Sequence, residues 1–215
     1  MSLGYEPICP FKFAERLWPK IKFYREQQQV IESVLYTPET VVVAGNMLGK
    51  DFVAGYICLY WLLTGGGKGF DVETRVVTTS VNDRHLRVLW GEIRRFINRC
   101  AVPLRVRDGG PLIVNHRDIF KVVNGKRDEV SYLAGMVAGE DMEGLAGHHA
   151  ESTLAVIDEA SGVDDLAYEK MQGWAKRFLI FGNPHECQNF FRKMVEGGDV
   201  LDDGTPVAKV TAGEF

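Results

Sequence analysis

The sequence predicts an α/β fold, a mostly parallel sheet with helices on both faces, and three observations carry that expectation. Short, continuously apolar runs alternate with segments of helical spacing, as expected of parallel strands buried on both faces and joined by crossover helices. One such run, Val41-Val42-Val43, passes through a glycine-containing loop into Lys50 and the long apolar stretch Phe52–Leu63. Two others end in polar tips, Asp158-Glu159 after Ile157 and Asn183 after Gly182. In such sheets ligands bind beyond the carboxyl ends of the strands, so the tips are expected to meet.

The chain has 215 residues, 46% hydrophobic and 25% charged, which fits one globular domain with a true core. A formal charge of −4 excludes a global basic field. Cys9, Cys58, Cys100 and Cys187 are far apart with no C-x-x-C, so neither a zinc site nor a disulfide framework is indicated, and a reducing cytoplasm is the simplest setting. No signal-peptide pattern is present. Phe52–Leu63 is shorter than the roughly 20 residues a membrane span needs, so no membrane partner is expected.

Residues 1–22 carry Pro7, Pro10 and Pro19 among scattered aromatics and read as an irregular N-terminal arm before a single domain, 23–215. Phe23-Tyr24-Arg25-Glu26-Gln27 leads into a short helix that Thr37-Pro38 ends, and the first core strand begins near Thr40. The helix after the glycine loop stops at Gly65-Gly66-Gly67. Arg75–Val81 is β-branched and predicts a strand. Asp83–Asn98 places Leu86, Leu89, Trp90, Ile93 and Ile97 on one helical face. Pro111–His116 and Ile119–Val123 predict a hairpin, Asn124-Gly125 a turn, and Ser131–Val137 a further strand. After a polar loop, 140–151, come a strand over Thr153–Ile157, a helix over Asp165–Gln172, a strand over Arg177–Phe181, a helix over Asn189–Glu196 and a last strand over Val207–Thr211.

The segment Ala44-Gly45-Asn46-Met47-Leu48-Gly49-Lys50-Asp51 has the layout of a phosphate-binding loop. Backbone N–H groups must curl around a phosphate, Lys50 supplies a point charge, and the helix N-terminus adds partial positive charge. Against G-x-x-x-x-G-K-[ST], Ala44 replaces the first glycine and Asp51 replaces the hydroxyl residue. A carboxylate at 51 can ligate Mg²⁺ but also repels phosphate. An ordinary glycine turn explains the same residues.

Two adjacent acids at the end of a buried strand predict a division of labour, Asp158 holding Mg²⁺ through water and Glu159 orienting and deprotonating an attacking water. Adjacent residues at a strand end diverge, so one is expected to face metal and the next the water. Helix capping by Asp158, Glu159 or Ser161 is the bland alternative. Asn183 offers a neutral amide that senses a γ-phosphate, or simply a Gly-Asn-Pro turn. Gln27 offers an amide to adenine beside an aromatic face, or simply the start of a helix.

The order of these pieces resembles the ATPase domain of a tailed-bacteriophage large terminase. The series runs from the Gln27 segment and the Lys50 loop through Val-Val-Thr-Thr-Ser-Val-Asn-Asp and Glu-Gly-Leu-Ala-Gly-His-His to Val-Ile-Asp-Glu-Ala-Ser-Gly-Val and Ile-Phe-Gly-Asn-Pro. The likeness covers roughly residues 20–195. It implies a P-loop NTPase fold of the additional-strand, catalytic-glutamate branch. It implies ATP and Mg²⁺ as cofactors, with Lys50 on the β- and γ-phosphates, Asp158 on the metal, Glu159 on the water and Asn183 coupling hydrolysis to movement. Double-stranded DNA, a portal protein, a small terminase subunit and a homo-oligomeric ring are the implied partners, in the cytoplasm of a bacterial host. Three departures stand out: Asp51, the absence of an Arg at Asn46 or Met47, and Ala146 where relatives often carry an Arg. These leave Arg117 and Arg127 as candidates for the residue acting across subunits. The chain ends at Phe215, before any nuclease domain of the kind such proteins usually carry, so no nuclease activity is expected; Asp199, Asp202 and Asp203 read as a solvated turn.

From Arg84 to Arg107 there are seven arginines and one acid, Glu92. Arg87, Arg94 and Arg95 fall on or near the polar face of the helix, where they either meet DNA phosphates without reading bases or form a solvated face. The five histidines show no ligand spacing. Two other classes stay open: another P-loop DNA motor such as a helicase-like ATPase, and a catalytically weak assembly or DNA-binding module.

Overall fold

The computed structural model describes residues 7–44, 49–139, 142–183 and 187–212. They form helices α1 (Pro10–Leu17), α2 (Arg25–Tyr36), α3 (Lys50–Thr64), α4 (Asp83–Arg99), α5 (Asp165–Gln172) and α6 (Phe190–Glu196). The strands are β1 (Glu39–Ala44), β2 (Thr74–Ser80), β3 (Leu112–Val114), β4 (Asp118–Val123), β5 (Lys126–Val137), β6 (Ser152–Asp158), β7 (Phe178–Gly182) and β8 (Val207–Ala212). All join one sheet in the order β3-β4-β5-β2-β6-β7-β1-β8. From β5 to β8 every neighbouring pair is parallel, and only the β3–β4 and β4–β5 pairs are antiparallel. The predicted hairpin and the Asn124-Gly125 turn are thus present, Asn124 with φ 52° and Gly125 with φ 75°.

Side chains alternate across the sheet with period two. Val42, Val76, Leu154, Val156, Leu179 and Phe181 face α1 to α4, while Val41, Val43, Val77, Ala155, Ile157 and Ile180 face α5, α6, Ala138, Met142 and Leu145. Helix α3 is buried on all sides from Val53 to Thr64, as a helix enclosed between sheet and helices must be. Helix α4 is amphipathic as predicted, burying Leu86, Leu89, Trp90, Ile93, Phe96 and Ile97. The Trp90 ring occupies the space a Cβ at Gly135 would need, with Nε1 only 2.4 Å away from that position, and its indole N–H donates to Thr78 Oγ1 at 3.0 Å.

The N-terminal segment departs from expectation. Residues read as an irregular arm contain α1, with Pro10 at its first position, where a missing N–H is no loss. Trp18, 2% exposed, closes that segment onto the core. Its indole donates to Phe96 O at 2.8 Å, and its ring meets Tyr56 and Phe96 edge-on. Ile8 N donates to Gly67 O at 2.8 Å, and Ala101 N to Leu17 O at 2.7 Å. Helical phase buries Ala14 and supports Phe11, Phe13 and Leu17 against the same cluster.

At the opposite end of the sheet from the polar tips, Glu39 opens β1 at 3% exposure. Its Oε1 accepts from the Tyr168 hydroxyl at 3.1 Å. Burial pushes its pKa from the ordinary 4.5 to about 8, against the opposing Tyr168 hydrogen bond. The folded chain therefore keeps a proton that the unfolded chain loses, and stability falls as pH rises from about 4.5 through about 8. Glu39→Gln is expected to unfold at nearly the wild-type midpoint at pH 5. At pH 9 it is expected to be about 1–3 kcal/mol more stable, checked by urea melts at both pH values.

Candidate active site

Lys50 is the first residue of α3, and Gly49 before it sits in left-handed backbone, φ 73°. A Cβ at Gly49 would lie 2.8 Å from Gln27 Nε2 and 2.9 Å from the Tyr24 hydroxyl. Only glycine satisfies both the backbone and this approach. The loop residues Gly45, Asn46, Met47 and Leu48, assigned to phosphate binding from the sequence, lie outside the described residues, as does Pro184.

The strand-end tips meet. Lys50 Nζ lies 3.4 Å from Asp158 Oδ1 and forms a close ion pair with Glu159 Oε1. Lys50 is 9% exposed and Asp158 3%. The expectation that the two acids diverge is not met, because Glu159 leaves β6 in left-handed backbone, φ 53° and ψ 46°. That single turn breaks the strand alternation and brings both carboxylates to one ammonium. Neither acid caps a helix: Asp164 caps α5 by accepting from Leu166 N, and Glu159, although it precedes the 3-10 turn Ala160–Gly162, makes no side-chain cap bond.

Electrostatics follow from burial. Desolvation raises the Asp158 pKa to about 7, with Lys50 opposing and Asp51 and Glu159 adding to the rise. Burial works against the Lys50 ammonium, but Asp158 and Glu159 outweigh it, and its pKa stands above the ordinary lysine value. Asp51, half-buried, is also raised, by burial first and then Glu159, with Lys50 opposing. Three carboxylates thus crowd one cation, and a second cation would relieve them. Asp158 Oδ1 is buried and, apart from its 3.4 Å ion pair with Lys50, has no hydrogen-bond partner among the described residues. This orphaned oxygen is the atom that fits Mg²⁺ or its bound water. Among the described residues no group of three His, Cys, Asp or Glu side chains is arranged to hold a metal by itself, so the phosphates and water would complete any coordination sphere.

Asn183 lies one residue beyond the β1–β7 pairing of Val43 with Gly182, at 7% exposure. Gln27 is 5% exposed, with Oε1 unbonded among the described residues. It lines a narrow crevice with Tyr24, Val42, Ala44, Lys50 and Phe181, so Gln27 and Lys50 adjoin. The sequence reading missed Ser80. It ends β2 directly opposite Asp158 in register, and its buried hydroxyl also lacks a partner among the described residues. The only available signal was a hydroxyl at a predicted strand end.

The arginines behave less uniformly than a phosphate-binding stripe requires. Arg87 and Arg95 are exposed but pair within α4, with Asp83 and Glu92. Arg94 is half-buried and tied down, donating to the carbonyls of Trp90 and His116 and lying over the Trp90 ring. Packing of Trp90 against β5 draws Arg94 inward, a consequence helical phase alone does not reveal. Of the candidates for a residue acting across subunits, Arg117 pairs with Asp83, and Arg127 pairs with Glu129 and lies over Phe120.

The loop preceding β6 is held by His148, 7% exposed. Its Nε2 donates to Gly144 O and its Nδ1 accepts from the Tyr132 hydroxyl, both at 2.6 Å. Trp174 Nε1 donates to Leu145 O at 2.7 Å. These contacts account for His148 without a metal.

The chain thus has a mostly parallel α/β sheet with a lysine at the first turn of one crossover helix and an acid pair at the end of the next strand but one. Solved structures that it resembles in fold include phage large terminases and an ATPase domain of one. The ATPase domain of the Thermus phage P74-26 large terminase superposes with TM-score 0.66 at 17% identity, over 94% of this chain and 84% of that one. The large terminase of thermophilic bacteriophage D6E, solved in complex with ADP, matches with TM-score 0.56 at 15% identity, over 88% of this chain and 45% of that one. The bacteriophage HK97 large terminase matches with TM-score 0.56 at 15% identity, over 81% of this chain and 36% of that one. No family model and no curated protein matches the sequence. At these identities the likeness establishes the fold. No helix among the described residues is long and apolar enough to cross a membrane.

Proposed function

We propose that this chain is an ATP-hydrolysing motor domain that drives double-stranded viral DNA into a procapsid, as the ATPase part of a large terminase. The observation that carries this reading is the convergence of Lys50, Asp158 and Glu159 at the carboxyl edge of a sheet with the terminase ATPase fold. Lys50 binds the β- and γ-phosphates of ATP. Bound Mg²⁺, held by Asp158 with Asp51 as a second carboxylate nearby, would neutralise phosphate charge. Glu159 orients a water and takes its proton as the water attacks the γ-phosphorus in line, releasing ADP and phosphate. Asn183, at the neighbouring strand tip, reports loss of the γ-phosphate to the chain that follows. Gln27 reads the base.

Lys50 pairs with Glu159, and a base held in that pair does not activate water. Arrival of the triphosphate draws Lys50 toward the phosphates and releases Glu159 at the moment a substrate is present. Double-stranded DNA would be held through its phosphates by exposed arginines of α4, with Arg87 and Arg95 exchanging their intrahelical partners for DNA. A ring of copies on a portal protein, fed by a small terminase subunit in the bacterial cytoplasm, is the assembly that reading implies.

ATP hydrolysis measured with and without double-stranded DNA, at low and high salt, tests the proposal. Hydrolysis stimulated by duplex DNA of any sequence, with stimulation weakening as salt rises, is the expected result. Stimulation by single strands alone would favour a helicase-like motor, and no hydrolysis under any condition would leave a non-enzymatic module.

A further inference from the structure

Glu159 is a non-glycine residue in left-handed backbone, a conformation that persists only where its surroundings impose it. Lys50 restrains the side chain. The backbone is restrained from the other side by Asn189. Its Nδ2 donates to Ala160 O and to Val163 O, each at 2.7 Å. These carbonyls bracket the 3-10 turn that begins immediately after Glu159, whose own carbonyl accepts from Gly162 N at 3.0 Å. The orientation of the amide is settled by chemistry, since only the NH₂ group can serve two carbonyl oxygens. Its Oδ1 is buried without a hydrogen-bond partner among the described residues.

The element behind Asn189 is rigid. It immediately precedes α6, whose first two residues are buried. Phe190 stacks on Tyr168 of α5 at 4.5 Å and an interplanar angle of 5°. Phe191 fills the space above Gly182, where a Cβ would come within 2.4 Å of its ring. Phe190 N donates to Asp165 Oδ1 at 2.6 Å. A side chain fixed on such a block can impose its geometry on the turn it touches.

We infer that Asn189 is the positioning residue that holds the turn after Glu159 in the backbone conformation aiming its carboxylate at Lys50 and the attacking water. This rests on the reading of Glu159 as the base. Asn189 acts on the turn, through Ala160 O and Val163 O. Its loss leaves binding intact while the base points away, which separates kcat from KM.

Steady-state ATPase kinetics of four variants test this. Asn189→Ala is expected to lower kcat about tenfold, less than the roughly 10²–10⁴-fold of a lost general base because the base is displaced and not removed, with KM for ATP within about twofold. Asn189→Ser, with one donor for the two carbonyls, is expected to restore part of kcat, and it carries the test should the alanine variant fail to fold. Asp165→Ala removes the other tie at the start of α6 without touching the turn, and is expected to keep kcat near wild type. Glu159→Gln reports on the reading beneath. If it hydrolyses ATP normally, Glu159 is not the base. If it is inactive while Asn189→Ala and Asn189→Ser retain wild-type kcat, the assignment of Asn189 is wrong. Equal losses in Asp165→Ala and Asn189→Ala would likewise overturn it, assigning the effect to α6 as a whole.

Discussion

Lys50→Ala is expected to lose ATP, and Glu159→Gln to hold it unhydrolysed. Both variants should keep the fold, because each residue sits at the edge of the sheet and not in either apolar cluster. Charge-assisted hydrogen bonds contribute about 1.5–3 kcal/mol each, so removing the ammonium weakens nucleotide binding about 10- to 100-fold. It also leaves Asp158 buried without its cation, which favours the protonated form of that carboxyl. Glu159→Gln keeps shape and burial but cannot take the proton of water. A lost general base lowers turnover by about 10²–10⁴-fold. Normal turnover in either variant would discard the assignment.

Trp18→Ala is expected to be the most damaging change outside the site. The side chain is fully enclosed, hydrogen-bonded through its indole and in contact with three aromatic rings. Truncating a buried tryptophan costs about 3–5 kcal/mol, a large share of the roughly 5–15 kcal/mol that holds a domain together. For a chain of this size the thermal midpoint should drop by about 6–20 °C. Tyr36→Ala, at a position 74% exposed, is the control and should move the midpoint little. A Trp18→Ala midpoint equal to that of the control would make the N-terminal segment the detachable arm that its prolines suggest.

The sequence carried the sheet and the site unequally. Strands read as apolar runs, β1, β2, β6 and β7, appear nearly residue for residue, because burial on both faces leaves an unbroken hydrophobic signature. Helix α5 matches its predicted span because the Asp164 cap and the glycine after Gln172 bound it. Strand β5 begins earlier than predicted, at Lys126. Its charged first residues look like loop, and pairing with β4 through the Asn124-Gly125 turn makes them strand. Helix α1 was hidden because Pro10 reads as a breaker, although at a first helical position it is a starter. Convergence of Lys50 with Asp158 followed from strand ends alone. The joint approach of both acids did not, since it depends on the positive φ of Glu159, for which the residue type gives no signal. The same holds for Asn189, whose partners are carbonyls more than twenty residues away, and for Arg94, whose exposure is decided by Trp90.

The central claim is that Lys50 leaves Glu159 for the triphosphate. Equilibrium binding of a non-hydrolysable ATP analogue to wild type, Glu159→Gln and the Lys50→Ala/Glu159→Gln double variant measures it directly. Breaking the resting ion pair and removing a negative charge from the pocket should make Glu159→Gln bind more tightly than wild type, and that gain should vanish in the double variant. Equal affinity for wild type and Glu159→Gln, or a double variant that binds as well as Glu159→Gln, would contradict the account.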